Sequence, residues 1–372
     1  MNKKLLALAI GAAAAMPLVA QADGPTLYGK INVSLESVSD GGGNRLDGDL
    51  DDLVTAPVPP ATTAPAPTDK SDEGWVVRNN SSRLGVKGDA ETGVDGVKGI
   101  YQIEVGVTAD GEGGPFSQRD TFAGLKGGFG NVRVGVMDTP FKKAQGKVDQ
   151  FNDTAADMGT HIAGENRQTN LVYYTSPKIA EALTVHVAVA PGENQVDPDP
   201  AAPAAATLDG IADSTSVALM WEGKSLYLAA AMDMMVKNGS SKGAELSKGN
   251  WLDATRLVAG YKGDAFAVGF LYQIAEEAFD VGGNTDEDTS MLLSGAYTMD
   301  KLTLKAQYGT TEGDDGAAGT DTEVTQMSLG ADYALGKATT LFAFFSNIEA
   351  DDGATTTEDE YEVISFGMEQ RF

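Results

Sequence analysis

His161 and His186 are the only two histidines in the 372 residues, and there is no cysteine. No Ser-His-Asp set can be read from their spacing, so neither nucleophilic nor acid–base catalysis has a visible starting point. His186 stands in LTVHVAVA with Val185 and Val187 on the opposite face. That places it on the polar side of an alternating strand. DGDLDD offers Asp47, Asp49 and Asp51 at alternate positions, as the start of a calcium loop does. The glycine and the distal glutamate of a complete loop are missing. GGFGNV joins two alternating runs, so its glycines serve a turn and not a phosphate. No cofactor and no metal is expected. What remains is a set of permanent charges. Arg83, in SSRLGVKGD, shares a face with Gly85 and Lys87 against Leu84 and Val86. Strict alternation puts Arg119, in QRDTFAGLK, with Thr121 and Ala123 against Phe122 and Gly124. An arginine keeps its charge at any relevant pH and holds it in a rigid fork. Such side chains steer charged solutes; they do not make and break bonds.

The elements that must carry these charges are strands. LTLKAQYG sets Leu302, Leu304, Ala306 and Tyr308 against Thr303, Lys305, Gln307 and Gly309. QMSLGADY and TLYGKINVSLE alternate in the same way, the latter with Lys30, Asn32, Ser34 and Glu36 on its polar face. Similar runs begin near Ser82, Val97, Arg119, Val132, Asn170, Leu183, Ser216, Ser225, Thr255, Phe266, Met291 and Leu341, and the chain closes on VISFGMEQRF. These make about sixteen strands, an even number. A soluble sandwich also alternates, so the connections decide. Short ones such as PKIAEA, WEGKS, YKGDA and TMDK alternate with long acidic ones. That pattern puts every long loop on one rim. Transmembrane barrels have this asymmetry, with short periplasmic turns and long extracellular loops; Greek-key sandwiches do not. The expected fold is all-β, a transmembrane antiparallel barrel.

Charge and leader agree with that. The formal net charge of −27 argues against a nucleic-acid partner. The acid gathers in the long loops, as plain solvation, to hold divalent cations near a lipopolysaccharide layer, or to draw cations to a pore mouth. MNKKLLALAIGAAAAMPLVAQA has the layout of a cleaved signal peptide over residues 1–22, leaving 23–372 as a single barrel domain. A membrane anchor is the competing reading, but the apolar stretch is short. In hydrocarbon a spanning sheet must close on itself. Phe372 is therefore expected in the seam between last and first strands, in a lower aromatic girdle with Tyr261, Tyr297 and Tyr333.

Over nearly the whole mature chain the sequence resembles the Gram-negative general porins, the sixteen-stranded trimeric outer-membrane class. TLYGKINVSLE is similar to their first strand and SSRLGVKGD to their second. QRDTFAGLKGGFGNVRVGVMDTPFKKAQGKVDQFNDT is similar to their fourth and fifth strands and the start of the inward-folded third loop. ENRQTNLVYYTSP is similar to the sixth strand and MEQRF to the closing segment. The resemblance implies a homotrimer in the outer membrane. It implies a constriction with Lys30, Arg83, Arg119 and Arg167 on the wall, facing loop acids among which Asp149 and Asp153 stand in the most family-like part. It also implies that Phe372 is read by the outer-membrane assembly machinery. Asp157 and Glu165 are the other loop acids, and Lys98, Arg133 and Lys305 are further candidate lumen charges. The third loop lacks the Pro-Glu-Phe-Gly stretch of enterobacterial members, and the APVPPATTAPAPT run of the first loop also departs from the family.

The expected function is passive diffusion of ions and small hydrophilic solutes, without catalysis. The alternatives are a channel specific for phosphate, a sugar or another anion, and a plugged barrel serving as adhesin or anchor. An outer-membrane hydrolase would need a nucleophile and a base that the sequence does not place. Wall cations favour anions; loop acids and net charge favour cations. The size of the acid excess inclines the expectation to cations, although rim charges are screened beyond about 8 Å.

Overall fold

The computed structural model describes residues 24–40, 74–112, 114–193, 195–196, 207–239, 241–246, 249–279, 285–314, 316, 321–351 and 359–372. The expected leader, residues 47–51 and the Pro-rich run of the first loop lie outside them. Sixteen antiparallel barrel strands are described. They are β1 Thr26–Asp40, β2 in two parts (Gly74–Asn79 and Arg83–Glu91), β3 Lys98–Val107, β4 Phe116–Gly127, β5 Gly130–Asp138, β6 Arg167–Thr175, β7 Leu183–Ala190 and β8 Ser214–Glu222. The second half is β9 Leu226–Lys237, β10 Trp251–Lys262, β11 Phe266–Glu277, β12 Glu287–Met299, β13 Leu302–Asp314, β14 Thr322–Ala334, β15 Thr339–Asp351 and β16 Asp359–Arg371.

Each strand pairs with its sequence neighbours, and β16 returns to β1 in the register Lys30↔Arg371 through Asp40↔Tyr361. The seam runs on through Phe372, whose N–H donates to the Gly29 carbonyl at 3.1 Å and whose carbonyl accepts from the Gly29 N–H at 3.0 Å. No described helix is long and apolar enough to cross a membrane. Crossing is by strands, and closure pairs the backbone groups that a sheet edge would leave bare in hydrocarbon.

The alternation read from the sequence sorts the side chains inside out. Leu304, Tyr308, Met327, Leu329, Ile364 and Phe366 are exposed on the outer surface, while Asn32, Glu36, Gln273, Gln307, Gln326 and Ser365 are buried facing the lumen. A soluble sheet would show the reverse. Tyr261, Tyr297 and Tyr333 are exposed beside the short turns, and Tyr261 stacks on Phe266 with ring centroids 5.7 Å apart.

Two register irregularities depart from simple alternation. The second strand, expected from Ser82 onward, begins at Gly74 and is interrupted at 80–82, where the pairing steps from Val33↔Asn79 to Lys30↔Arg83. Ser82 fills the break: the Asn32 N–H donates to its Oγ at 2.9 Å. Arg78 and Arg83 are an odd number of positions apart, yet the extra residue turns both inward. In β4 the pairing steps from Ile103↔Thr121 to Val105↔Gln118, so Glu104 faces both Arg119 and Asp120.

The connection 139–166 folds into the barrel. Thr139 caps its short helix α1, Pro140–Lys143, accepting from the Lys142 N–H at 3.1 Å, and Pro140 takes the position where a missing N–H costs nothing. Phe141, Ala144, Val148, Met158 and Ile162 then bury themselves against Ala229, Ala231, Val258, Leu271, Ala275 and Leu292 of the inner wall. Those wall residues face inward without being polar because the loop covers them. Two glycines make room. A Cβ on Gly330 would stand 2.8 Å from the Phe151 ring, and one on Gly309 would collide with the His161 ring. Gly309→Leu is therefore expected to lift the loop from the wall. Limited proteolysis checks this, with cleavage within 139–166 appearing in the variant before the barrel itself is cut.

Candidate pore constriction

Asp153 is the point at which the inward loop meets the charged wall. It lies in the left-handed region at φ 66°, a conformation that aspartate tolerates better than most residues. Its N–H donates to Asp157 Oδ2 at 2.7 Å, which fixes the turn. Its Oδ2 then accepts from Lys30 Nζ at 2.9 Å and from Arg83 Nη2 at 2.8 Å. Lys30 also reaches Glu369 Oε2 on β16 at 3.1 Å. Lys30, Arg83 and Asp153, far apart in sequence, thus form one cluster. Burial works against the Asp153 carboxylate, but the Lys30 and Arg83 charges beside it outweigh burial and hold its pKa well below the usual range.

The other wall cations are anchored on carboxylates of the wall itself. Arg119 Nε donates to Glu104 Oε1 at 2.6 Å, and the other Glu104 oxygen accepts from the Tyr28 hydroxyl at 2.9 Å. Arg167 spans Asp120 at 2.9 Å and Asp138 at 2.8 Å. Lys143, on α1, lies 3.6 Å from Asp120. These pairs fix the long side chains in the lumen at the expense of their mobility. Arg78, Arg83, Arg119 and Arg167 border a polar cavity of about 500 Å³.

The structure corrects one orientation. Strict alternation has Arg119 share its face with Thr121 and Ala123. The bulge opposite Glu104 instead puts Arg119 and Asp120 inside, followed by Phe122 and Gly124, whereas Ala123 and Leu125 face outward. Arg119 reaches the lumen as expected, by a different route.

The two favoured loop acids separate. Asp153 joins the wall cluster; Asp149 does not. Asp149 is buried beneath the loop, where its carboxylate accepts from the Phe151 N–H at 2.8 Å and the Met158 N–H at 3.0 Å. Burial, with the Asp157 charge beside it, pushes its pKa up. Asp157 borders the cavity, and burial raises its carboxyl to about 6 against the pull of N–H bonds from Gly159 and Asp153. Glu165 turns behind the loop to Arg256 at 2.6 Å, and the Arg256 guanidinium lies 4.3 Å from the Phe141 ring centroid. Lys98 pairs with Asp89 and Glu91 by the short turn after β2, away from the constriction cluster. Lys305 faces the lumen, 3.0 Å from Asp332 and 4.6 Å from the Phe151 ring centroid. Arg133 lies on the wall between Phe122 and Tyr173. His161 is buried against the wall, and burial drops its pKa to about 3, so it is neutral.

Several participants went unread in the sequence. Arg78 pairs with Glu36 at 2.7 Å, and Glu36 also accepts from Ser34 and Ser365. Alternation already placed Glu36 beside Lys30, and it placed Glu369 on the inward face of β16. Asp120 carried no such signal, because only the bulge turns it inward. The loop 238–250 was also missed as a support. Ser241 Oγ accepts from the Glu165 N–H at 2.9 Å, and the Lys242 N–H donates to the Gly159 carbonyl at 3.0 Å. Ser241 and Lys242 latch the connection 139–166 from behind.

Asp149→Ala leaves two buried N–H groups without an acceptor, a cost of about 1–3 kcal/mol each. Amide hydrogen exchange at Phe151 and Met158 is expected to accelerate about tenfold or more while the barrel strands stay protected.

The pattern that describes Gram-negative porins matches residues 7–353. The major outer membrane protein P.IB of Neisseria lactamica is 26% identical over 352 residues, covering 91% of this chain and 91% of that one. Among solved structures, an anion-selective porin from Comamonas acidovorans superposes with a TM-score of 0.67 at 19% identity, covering 94% of this chain and 99% of that one. OmpT of Vibrio cholerae, in a trimer form, superposes with a TM-score of 0.62 at 15% identity, covering 94% and 99%. With a closed sixteen-strand barrel, an apolar outer surface and a charged lumen, the chain belongs to the Gram-negative porin family, outer-membrane channels for the diffusion of solutes.

Proposed function

We propose that ions and small hydrophilic solutes pass through the polar cavity beside the Asp153 bridge, with Lys30, Arg83, Arg119 and Arg167 of the wall and Asp153 of the third loop as the selective element. The observation that carries this is the bridge from Asp153 to Lys30 and Arg83, which ties the loop to the wall across the lumen. Opposed fixed charges set up a transverse field that orders water and ions in transit. Because most wall cations have a carboxylate partner, the net field along the axis is small and selectivity is weak. The acid excess falls largely in the long connections of the sequence, and charges more than about 8 Å from the path are screened by salt.

The protein works as a homotrimer in this reading. One of its structural neighbours is a trimer form, and the exposed apolar side chains of the outer wall offer ample surface for lipid and for like subunits. Lipopolysaccharide contacts belong to the acidic outer loops through divalent cations. Phe372, paired to Gly29 in the seam, is the residue the assembly machinery would read.

Single-channel recording of the purified oligomer in a planar bilayer with a salt gradient tests this directly. Conductance steps grouped in threes are expected. A folded barrel that stays silent would replace this reading by that of a plugged adhesin or anchor. Saturable block by a single solute would replace it by that of a specific channel.

Asp153→Asn leaves Lys30 and Arg83 with less countercharge. The zero-current potential is expected to move toward anion preference, with the permeability ratio changing roughly twofold or more. The pH dependence comes from Asp157. Its pKa is raised to about 6, so it is mostly ionised at pH 7 and takes up a proton as pH falls through 6. Cation preference should decline between pH 7 and about pH 5, and Asp157→Asn should flatten that response.

A further inference from the structure

Among the described residues, every arginine but one has a carboxylate partner. Arg78, Arg83, Arg119, Arg167, Arg256 and Arg371 each reach one at between 2.5 and 2.9 Å. Arg133 has none. Its guanidinium carbon lies 4.2 Å from the Tyr173 ring centroid and 5.3 Å from that of Phe122. One nitrogen, Nη2, donates to Thr175 Oγ1 at 3.1 Å, while Nε is buried without an acceptor. Aromatic faces hold the fork in place and partly offset its charge, but they do not supply the in-plane oxygen atoms that a guanidinium is shaped to bind.

The surroundings are polar and, among the described residues, carry no free carboxylate. Lys143 Nζ lies 5.5 Å from the Tyr173 ring centroid, which brings a second cation to the same ring. Tyr173 OH and Thr184 Oγ1 each lie 3.0 Å from a ring nitrogen of His186, so hydroxyls and an imidazole are gathered beside the fork. Asp120 and Asp138, the carboxylates on this part of the wall, are already taken by Arg167 and Lys143. Arg133 is near the short turn that joins β4 to β5, hence on the periplasmic side of the Asp153 cluster. The wall therefore carries four paired arginines, Arg78, Arg83, Arg119 and Arg167, around the cavity and one without a carboxylate, Arg133, below them.

We infer that Arg133, with Thr175 beside it, forms an oxyanion-binding subsite on the periplasmic side of the constriction, where a small carboxylate or phosphate solute pauses in transit. Its use in transport rests on the channel reading above; binding itself does not. An anion leaving the constriction meets a fork that no protein carboxylate occupies. The site is weak by construction, because conduction requires that the solute leave again.

Inorganic phosphate is the probe. Its binding to the detergent-solubilised native oligomer is read by phosphorus NMR line broadening for the unaltered chain, Arg133→Gln, Arg133→Lys and Arg83→Gln. Heat-modifiable migration establishes that each variant is folded. Arg133→Gln should weaken binding about tenfold, as expected for a charge-assisted hydrogen bond, and Arg133→Lys should recover part of it. Binding unchanged in Arg133→Gln, or lost only in Arg83→Gln, overturns the subsite and assigns the anion to the constriction or to none. Conductance recorded on the same preparations separates the two readings. Phosphate binding that depends on Arg133 in a silent barrel would retain the subsite and remove the channel. A conducting barrel whose phosphate binding ignores Arg133 would do the opposite.

Discussion

Every backbone N–H and C=O that lies in hydrocarbon must find a partner within the protein. The rest of this structure depends on that requirement. Strands can meet it only by closing, and closure fixes the pairing of β16 with β1 through Phe372 and Gly29. Once the sheet is closed, each strand has one face in lipid and one in the lumen. Leucines and aromatics then stand outside, and glutamines, serines and charges stand inside. The energetic support of a soluble core is missing from the lumen face. The inward loops restore part of it, with Phe141, Val148 and Ile162 packed on wall alanines and leucines.

A closed wall leaves little freedom to aim a side chain, since the pleat dictates inward or outward at each position. The exceptions are the register steps at 80–82 and opposite Glu104. Each inserts one residue and reverses the inward–outward parity of the remainder of its strand. By this means Arg78 and Arg83 both reach the lumen, and Arg119 and Asp120 stand side by side within it. Bulges next to functional sites re-aim side chains at the cost of a few ladder bonds, and here they turn Arg78 and Arg83, and Arg119 and Asp120, into the lumen.

The cations so delivered are mostly neutralised in place. Glu36, Glu104, Asp120 and Asp153 hold Arg78, Arg119, Arg167 and Arg83 in fixed rotamers. Removing one partner from such a half-buried pair takes from the other part of what offsets its desolvation, so the pairs hold the loop and the wall rigid. Asp149 and Glu165 serve the same end from beneath, as acceptors that hold the loop. Arg133 differs in being held by aromatic rings, which orient a guanidinium without discharging it.

Much of this was legible in the sequence, for a physical reason. Side-chain alternation is local, so TLYGKINVSLE and LTLKAQYG declared their faces unaided, and the alternation of short and long connections declared the barrel. The porin resemblance supplied Lys30, Arg83, Arg119, Arg167 and Asp153, all of which the structure brings to the lumen. It did not separate Asp149 from Asp153, since whether a loop acid turns under the loop or toward the wall depends on contacts made across the barrel. Alternation misassigned the neighbours of Arg119 and gave no sign of Asp120, because a bulge is defined by the partner strand and not by the strand that carries it. The latch from 238–250 was hidden for the same reason. The sequence by itself determined which residues alternate and hence which faces exist. Only the closed tertiary structure decided which charges meet, because pairing across a lumen joins residues that no local pattern relates.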